Sequence, residues 1–387
     1  MRIRKNDYTM GRVIAALKNG CEHCVFMGLD FRQTEVLLHS KKDSAVGDVV
    51  LIYLKGHKKS DVERALKWLL AQPQVAYAEP DYLMEPHMAG PGYTIPNDEY
   101  FEDLWGMRQI KAPSAWDYST GSHKVTVGVT DSGIDSYHPD LMGNMARFGI
   151  NRAGAGWNFE LKNNDYMDTT GHGTHVAGTI GAVGNNLIGV AGVCWTVEMS
   201  ALKIGDLVFN IAGAIAAIDY ANIHKIPILN NSWGGSSHSY ILKYAIEQYD
   251  GLFVASAGNS GSNNDISPLY PASYDCRNIL SVAASEPGGG LAYFSNYGKK
   301  TVDIAAPGSN ILSTTLYNEY SYLNGTSMAA PHVSGTAALL KACAPDLSAM
   351  EIKSIILNTA SRSPELYGKL WTEGILDAEA ALRAIYC

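Results

Sequence analysis

The sequence predicts an α/β fold, a parallel twisted sheet flanked by helices, preceded by a small α+β unit. Three observations carry that prediction. From about residue 97 onward short apolar runs recur, and each ends in a polar or Gly-containing loop. Helix-forming stretches separate them, the alternation that builds a parallel sheet covered on both faces. Ahead of this pattern, residues 85–96 hold three prolines and two glycines, the composition of an exposed linker.

Within the first segment, residues 12–17, 49–54 and 75–78 are apolar or alternating and predict strands. A helix is predicted between the last two. Ser60-Asp61-Val62-Glu63 reads as a capping box, after which Val62, Ala65, Leu66 and Leu69 fall on one face. In the larger segment Val125, Val127 and Val129 lead to Asp131, residues 226–229 to Asn230, residues 252–255 to Ser256, and residues 302–305 to Pro307. Ligand sites in such sheets lie beyond the carboxyl ends of the strands. The chemically suggestive residues fall there.

The bulk properties set outer bounds. With 387 residues, 46% hydrophobic and 18% charged, the chain can bury a sizeable core. It contains no run of about 18 apolar residues that could cross a bilayer, so no membrane partner is expected. A net charge of -8 argues against nucleic acid, whose binders carry basic patches. Residues 1–90 hold 13 Lys+Arg against 11 Asp+Glu, and the remainder 17 against 27. That split suits a basic segment docking on an acidic partner, or is chance. Six cysteines are too few for a disulfide scaffold and read mostly as free thiols. Cys21 and Cys24 have C-x-x-C spacing, but no second pair completes a zinc site. Residues 1–10 are polar and charged, without the apolar stretch of a secretory signal.

Four segments carry chemistry. Asp131 ends a strand in Val129-Thr130-Asp131-Ser132-Gly133, where a lone Asp is as well explained as a turn residue. Gly171-His172-Gly173-Thr174-His175 puts His172 in a glycine-flanked turn suited to an exposed base, with His175 one turn further in and structural. No H-E-x-x-H zinc motif exists in the chain. Gly325-Thr326-Ser327-Met328 sets a serine at a helix start, and Pro331 is read as lying in the first turn, where a missing N–H removes no helical bond. A serine hydroxyl needs an adjacent base oriented by a third group, and Ser, His and Asp supply those roles. Asn259, in Ser256-Ala257-Gly258-Asn259, is a turn residue or an amide donor to a developing oxyanion.

Together these four segments resemble the subtilisin-like (subtilase) family of serine peptidases, in the Asp, His, Ser order of that family. The similarity runs from about Asn97 to the C-terminus. Pro96-Asn97-Asp98, Ala112-Pro113-Ser114-Ala115-Trp116-Asp117 and Phe294-Ser295-Asn296-Tyr297-Gly298 are most similar to its thermitase-like branch. The resemblance implies a serine endopeptidase with Asp131 orienting the imidazole, His172 as general base and then acid, Ser327 as nucleophile, and Asn259 with the Ser327 N–H as oxyanion donors. It implies a subtilisin-like domain at 97–387, a ferredoxin-like propeptide at 1–88 acting as folding template and inhibitor, and a linker with the processing bond at 89–96. The expected partners are polypeptide substrates and the chain's own propeptide, on a monomer. A secreted address is expected by resemblance alone.

By the same resemblance, Ser232, Trp233 and Gly234 line one side of the substrate groove. Ser256, Ala257 and Gly258 wall the primary specificity pocket, and Leu269 contributes its floor. One departure stands out: residues 203–209 are shorter than the usual segment and lack its Gly-x-Gly turn, which puts the second substrate-pairing edge in question. Calcium is the implied cofactor, held by Asp98, Asp140, the Asn186 side chain and the carbonyls of Val183, Ile188 and Val190. A weaker second site is expected near Asp165 and Asp168, with Asn158 where relatives place a carboxylate. The competing reading is a catalytically silent or permanently inhibited binding protein. An α/β-hydrolase is excluded by the lack of G-x-S-x-G.

Overall fold

A computed structural model describes residues 8–21, 26, 28–40, 44, 46–82, 94–146 and 155–386. The chain forms two compact units, residues 1–90 and 91–387. No helix among the described residues is long and apolar enough to cross a membrane.

In the first unit, β1 (Tyr8–Lys18), β2 (Phe31–Leu38), β3 (Val46–Leu54) and β4 (Val75–Tyr82) form a sheet in the order β2-β3-β1-β4, antiparallel at every pairing. One helix, α1 (Lys59–Leu70), covers it. Val62, Ala65 and Leu69 of α1 pack with Val13, Ala15, Leu17, Val50 and Ile52. Two expectations need correction. Strand β2 went unread, because its residues are mostly exposed or half-buried and include Arg32, Gln33 and Glu35. The helix also begins earlier than the Ser60 reading: Lys58 is its N-cap, and Asp61 Oδ2 accepts from Lys58 N at 3.0 Å. Cys21 is a half-buried free thiol packed against this core, while Cys24 and most of the 89–96 linker fall outside the described residues.

The second unit opens with the short helices α2 (Trp105–Gln109) and α3 (Ala112–Ala115). It then threads β5 (Gly121–Asp131), β6 (Gly156–Asn158), α4 (His172–Gly181), β7 (Thr196–Lys203), α5 (Ile211–Ile223), β8 (Ile228–Asn231), α6 (Tyr240–Glu247), β9 (Leu252–Ser256), β10 (Ile279–Ser285) and β11 (Ile304–Pro307). A hairpin of β12 (Ile311–Thr314) and β13 (Tyr320–Leu323) leads into α7 (Thr326–Cys343). The chain closes with α8 (Ala349–Asn358), β14 (Ser361–Arg362), β15 (Gly374–Ile375) and α9 (Ala378–Tyr386). Nine strands run in the order β14-β15-β11-β10-β9-β8-β5-β7-β6, parallel except at the β14–β15 edge.

Side-chain alternation explains why both faces are covered. Ile228, Leu252 and Val254 point to the core built by α4 and α7, whereas Leu229, Phe253 and Ala255 point to the core built by α5 and α6. Strands buried on both sides are mostly apolar, and β9 and β10, buried at every position, carry nothing more polar than serine. The strand order reverses direction at β5, with β7 and β6 on one side and β8, β9, β10 and β11 on the other. A crevice opens beyond the carboxyl ends at such a switch point.

Candidate functional site

Asp131 is the last residue of β5 and is fully buried. Its Oδ1 lies 2.7 Å from His172 Nδ1 and also accepts from Ser132 N at 2.8 Å. His172 is the first residue of α4, so the adjoining turn can bring it close to the strand end only through small residues. A Cβ on Gly173 would come within 2.1 Å of the Gly133 carbonyl. The Asp131 charge raises the His172 pKa above its ordinary 6.5, against the opposing effect of burial. An imidazole whose Nδ1 proton is held by a carboxylate presents Nε2 as the base.

The turn ahead of α4 hangs on a residue the sequence reading did not assign to this role. Asp168 Oδ1 accepts from Ser132 Oγ at 2.9 Å, Thr170 N at 2.9 Å and Gly171 N at 3.1 Å, and Oδ2 accepts from Thr174 N and Thr174 Oγ1 at 2.9 and 2.7 Å. Burial would push its pKa up, but the bonds from Thr174, Thr170 and Ser132 outweigh it and hold the carboxyl below the ordinary value. Both of its carboxylate oxygens are thus taken up by the turn. Asn158 likewise spends its amide on the Asp165 carbonyl, at 2.9 Å. The missed signal was a carboxylate just ahead of a helix start, where it can take free N–H groups. His175, by contrast, is buried in α4, and its Nε2 reaches the Ile311 and Ser321 carbonyls, both at 3.0 Å. Burial pushes its pKa down to about 4.

Ser327 is the second residue of α7, which packs against α4 on the same face of the sheet. Its Oγ donates to the Ser232 carbonyl at 3.0 Å and not to His172. The Ser232 hydroxyl answers by donating to the Ser327 carbonyl at 2.8 Å. Pro331 is the sixth residue of α7 and lies inside the helix, not in its first turn. The earlier reading of Pro331 as harmless is therefore corrected: in a regular helix, residue 331 would donate to the carbonyl of Ser327. Asn259 Oδ1 accepts from Thr326 N at 2.8 Å and from Thr326 Oγ1 at 2.9 Å, which fixes the amide and turns Nδ2 the other way. One point in space, where a Cβ on Gly325 would sit, is 3.5 Å from both Asn259 Nδ2 and Ser327 N. Two amide nitrogens thus lie about one point next to the serine.

A cleft of about 700 Å³ runs past Ser327. Ser232, Trp233, Gly234, Ser256, Gly258 and Leu269 line it, as does Asn259. Ala257 does not: it is fully buried, packing with Ala283 and Val302, and its carbonyl accepts from Asn264 Nδ2 at 2.8 Å. Strand alternation turns it from the pocket, so that expectation is corrected. Leu269 fills space that only glycines leave open, since a Cβ on Gly234 or Gly258 would come within 2.9 or 2.7 Å of its Cδ2. The shortened segment forms a tight turn closed by a Gly205–Phe209 bridge, with Leu207 and Val208 on the cleft rim. Lys203 Nζ and Thr169 Oγ1 both bond Asp206 Oδ1, at 2.7 and 2.6 Å, which ties this turn to the one bearing His172.

The expected calcium ligands gather around the loop at 183–190. Asp98 Oδ1 is buried without a hydrogen-bond partner. Burial, with the Asp140 charge adding to it, pushes the Asp98 pKa up. The carbonyls of Val183, Ile188 and Val190 accept no hydrogen bond among the described residues. An unpartnered carboxylate oxygen beside a second carboxylate and unused carbonyls fits a hard cation. Asn186 is arranged otherwise than expected. Its oxygen accepts from Ile188 N at 3.0 Å and its nitrogen donates to Asp140 Oδ1 at 2.8 Å.

Comparison with known proteins places the chain in a family. The model of the Subtilase family matches residues 122–377. The thermophilic serine proteinase of Bacillus sp. strain AK1 is 36% identical over 313 residues, covering 79% of this chain and 72% of that protein. Subtilisin BL of Lederbergia lenta is 40% identical over 288 residues, covering 72% of this chain and 98% of that one. A solved chain described as proteases from Pseudoalteromonas arctica PAMC 21717 aligns with a TM-score of 0.63 at 32% identity, over 75% of this chain and 99% of its own.

Proposed function

Because the chain belongs to the subtilase family, we propose that this serine endopeptidase cleaves peptide bonds with Ser327 as nucleophile, His172 as base and Asp131 as its orienting partner. The observation that carries the reading is the 2.7 Å bond between His172 Nδ1 and buried Asp131, and a separate cleft lined by Ser327 and Asn259 supports it. In the reaction the Ser327 hydroxyl turns from the Ser232 carbonyl to His172 Nε2, which takes its proton as Oγ attacks the scissile carbonyl. Asn259 Nδ2 and Ser327 N–H donate to the oxyanion of the tetrahedral intermediate. His172 then hands the proton to the leaving amine, and water, activated by the same imidazole, releases the acyl group.

The extended substrate is bounded by Ser232-Trp233-Gly234 on one side and by Ser256, Gly258 and Leu269 at the primary pocket. Residues 1–88 are the pro-segment, released by cleavage within 89–96; the family resemblance and the separate α+β unit support this reading. The resemblance to the thermitase-like branch rests on the three short motifs around Asn97, Pro113 and Asn296. Calcium is held by Asp98, Asp140 and the carbonyls of Val183, Ile188 and Val190. When bound it neutralises two buried carboxylates and joins three chain segments.

Incubation with a serine-directed fluorophosphonate and with denatured casein tests the reading. Labelling and cleavage by the wild type, both lost in Ser327→Ala, are expected. Absence of both after the pro-segment has been removed would abandon it. Mass spectrometry of the purified product should find a new N-terminus near residue 90, and an intact chain in an active preparation would remove self-processing.

A further inference from the structure

We propose that Ser334 is a positioning residue for the nucleophile, acting through Asn230 and Ser232 on the carbonyl of Ser327. The proposal rests on Ser327 being that nucleophile. Its starting point is the proline inside α7. Pro331 has no N–H, so the Ser327 carbonyl loses the donor that an unbroken helix would give it. A buried acceptor without a donor is unfavourable. The Ser232 hydroxyl fills the gap at 2.8 Å.

A hydroxyl has one proton, so where Ser232 points depends on what it accepts. It accepts from Asn230 Nδ2 at 2.9 Å, which leaves its own proton for Ser327. The Asn230 amide can face Ser232 with its nitrogen only while its oxygen is satisfied elsewhere, and Ser334 Oγ donates to that oxygen at 2.8 Å. The three bonds therefore run in one direction, from Ser334 to Asn230 to Ser232 to the peptide of Ser327. Ser334 and Asn230 are fully buried, and Ser232 is buried at the cleft wall.

The neighbouring turn of α7 shows that this is not the default for a helical hydroxyl. Thr336 Oγ1 bonds back to the His332 carbonyl four residues earlier, at 2.9 Å, the common arrangement inside a helix. Ser334 instead reaches across to β8. Without its hydroxyl the Asn230 oxygen is stranded, and the amide relieves this by turning over. The oxygen then draws the Ser232 proton to itself, and the Ser327 carbonyl is left bare on the same Cα that carries the attacking side chain and the N–H proposed for the oxyanion.

The test compares wild type, Ser334→Ala, Ser334→Thr, Ser232→Ala and the Ser232→Ala/Ser334→Ala double variant. Measured are the second-order rate of fluorophosphonate labelling, kcat and KM on a peptide substrate, and the melting temperature. Ser334→Ala should label about tenfold more slowly, the scale of one hydrogen bond lost in the transition state, with KM within about twofold of wild type. Ser334→Thr keeps the hydroxyl and should recover most of the rate. The double variant should be no slower than Ser232→Ala beyond about twofold, because Ser334 acts through Ser232. A Ser334→Ala protein that melts lower but labels at the wild-type rate has lost only structure, and overturns the proposal. So do two substitutions whose effects multiply. A wild type that never labels, while Ser334→Ala folds normally, instead overturns the peptidase reading and this inference with it.

Discussion

Ser232 and Ser327 hold one another by exchanged hydrogen bonds, the hydroxyl of each donating to the carbonyl of the other at 2.8 and 3.0 Å. The hydroxyl proposed as nucleophile therefore spends its proton on the Ser232 carbonyl and not on His172. Reaction of Ser327 with a phosphonate should move Oγ off the Ser232 carbonyl and leave the Ser232-to-Ser327 carbonyl bond in place. A crystal structure of the adduct checks both parts, and loss of the second bond would refute the arrangement.

Asn259 has two duties that substitution can separate. Its oxygen caps Thr326, and its nitrogen faces the space beside Ser327. Asn259→Asp keeps the acceptor and removes the donor, so kcat should fall by about 10² to 10³ with KM little changed. Steady-state kinetics on a peptide anilide decide the matter. A fall confined to KM would assign Asn259 to substrate binding.

The pH dependence follows from the Asp131 charge. Only neutral His172 can take the serine proton, and Asp131 raises its pKa above 6.5. Activity as kcat/KM should rise with pH to a plateau, with its midpoint above that ordinary value. In Asp131→Asn the raising charge is gone while burial still favours the neutral ring, so the midpoint should shift down. The plateau should fall by about 10⁴, the scale of a histidine held in the wrong tautomer.

Asp168 should prove to be a stability residue with a catalytic side effect. Asp168→Asn loses a charged acceptor at the α4 entry and should cost about 2 kcal/mol at neutral pH. The folded pKa is depressed, so this stabilisation is present above the unfolded value of 3.8 and is lost as pH falls through the folded one. The deficit against wild type should accordingly shrink in acid. Urea melts of the Ser327→Ala background, which cannot digest itself, measure it.

Leu269 sits between Gly234 and Gly258 and lines the cleft, where it is proposed as the pocket floor. Leu269→Ala should deepen the pocket and raise the preference for Phe over Ala at the residue before the scissile bond by about tenfold in kcat/KM. Gly258→Ala should damage the site outright. Its Cβ would lie 2.6 Å from Asn296 Nδ2, and its backbone φ is +109°. An unchanged side-chain preference in Leu269→Ala would place the pocket elsewhere.

If the proposed calcium is bound, its removal should lower the melting temperature, since a ligand bound only to the folded state stabilises it in proportion to the logarithm of its concentration over Kd. Calorimetry in excess chelator, with Asp98→Asn alongside, reads this. The variant should melt with little response to chelator, and a wild type equally indifferent would remove the metal.

Patterning along the chain was enough to read the parallel sheet, four of its nine strands, the motifs bearing Asp131, His172 and Ser327, and the glycine-flanked turn at His172. Apolar alternation, strand ends and helix starts are local, so spacing along the chain reports them. Edge strand β2 escaped because an exposed strand need not be apolar. The tertiary structure alone decided what depends on partners far apart in sequence. Ser334 meets Asn230 across 104 positions, and Asp168 meets Ser132 across 36. It also decided that Ala257 faces the core and that Pro331 strips a bond from the serine's own carbonyl. A buried polar group must find its donor wherever the sheet order brings one, and no local pattern records that order.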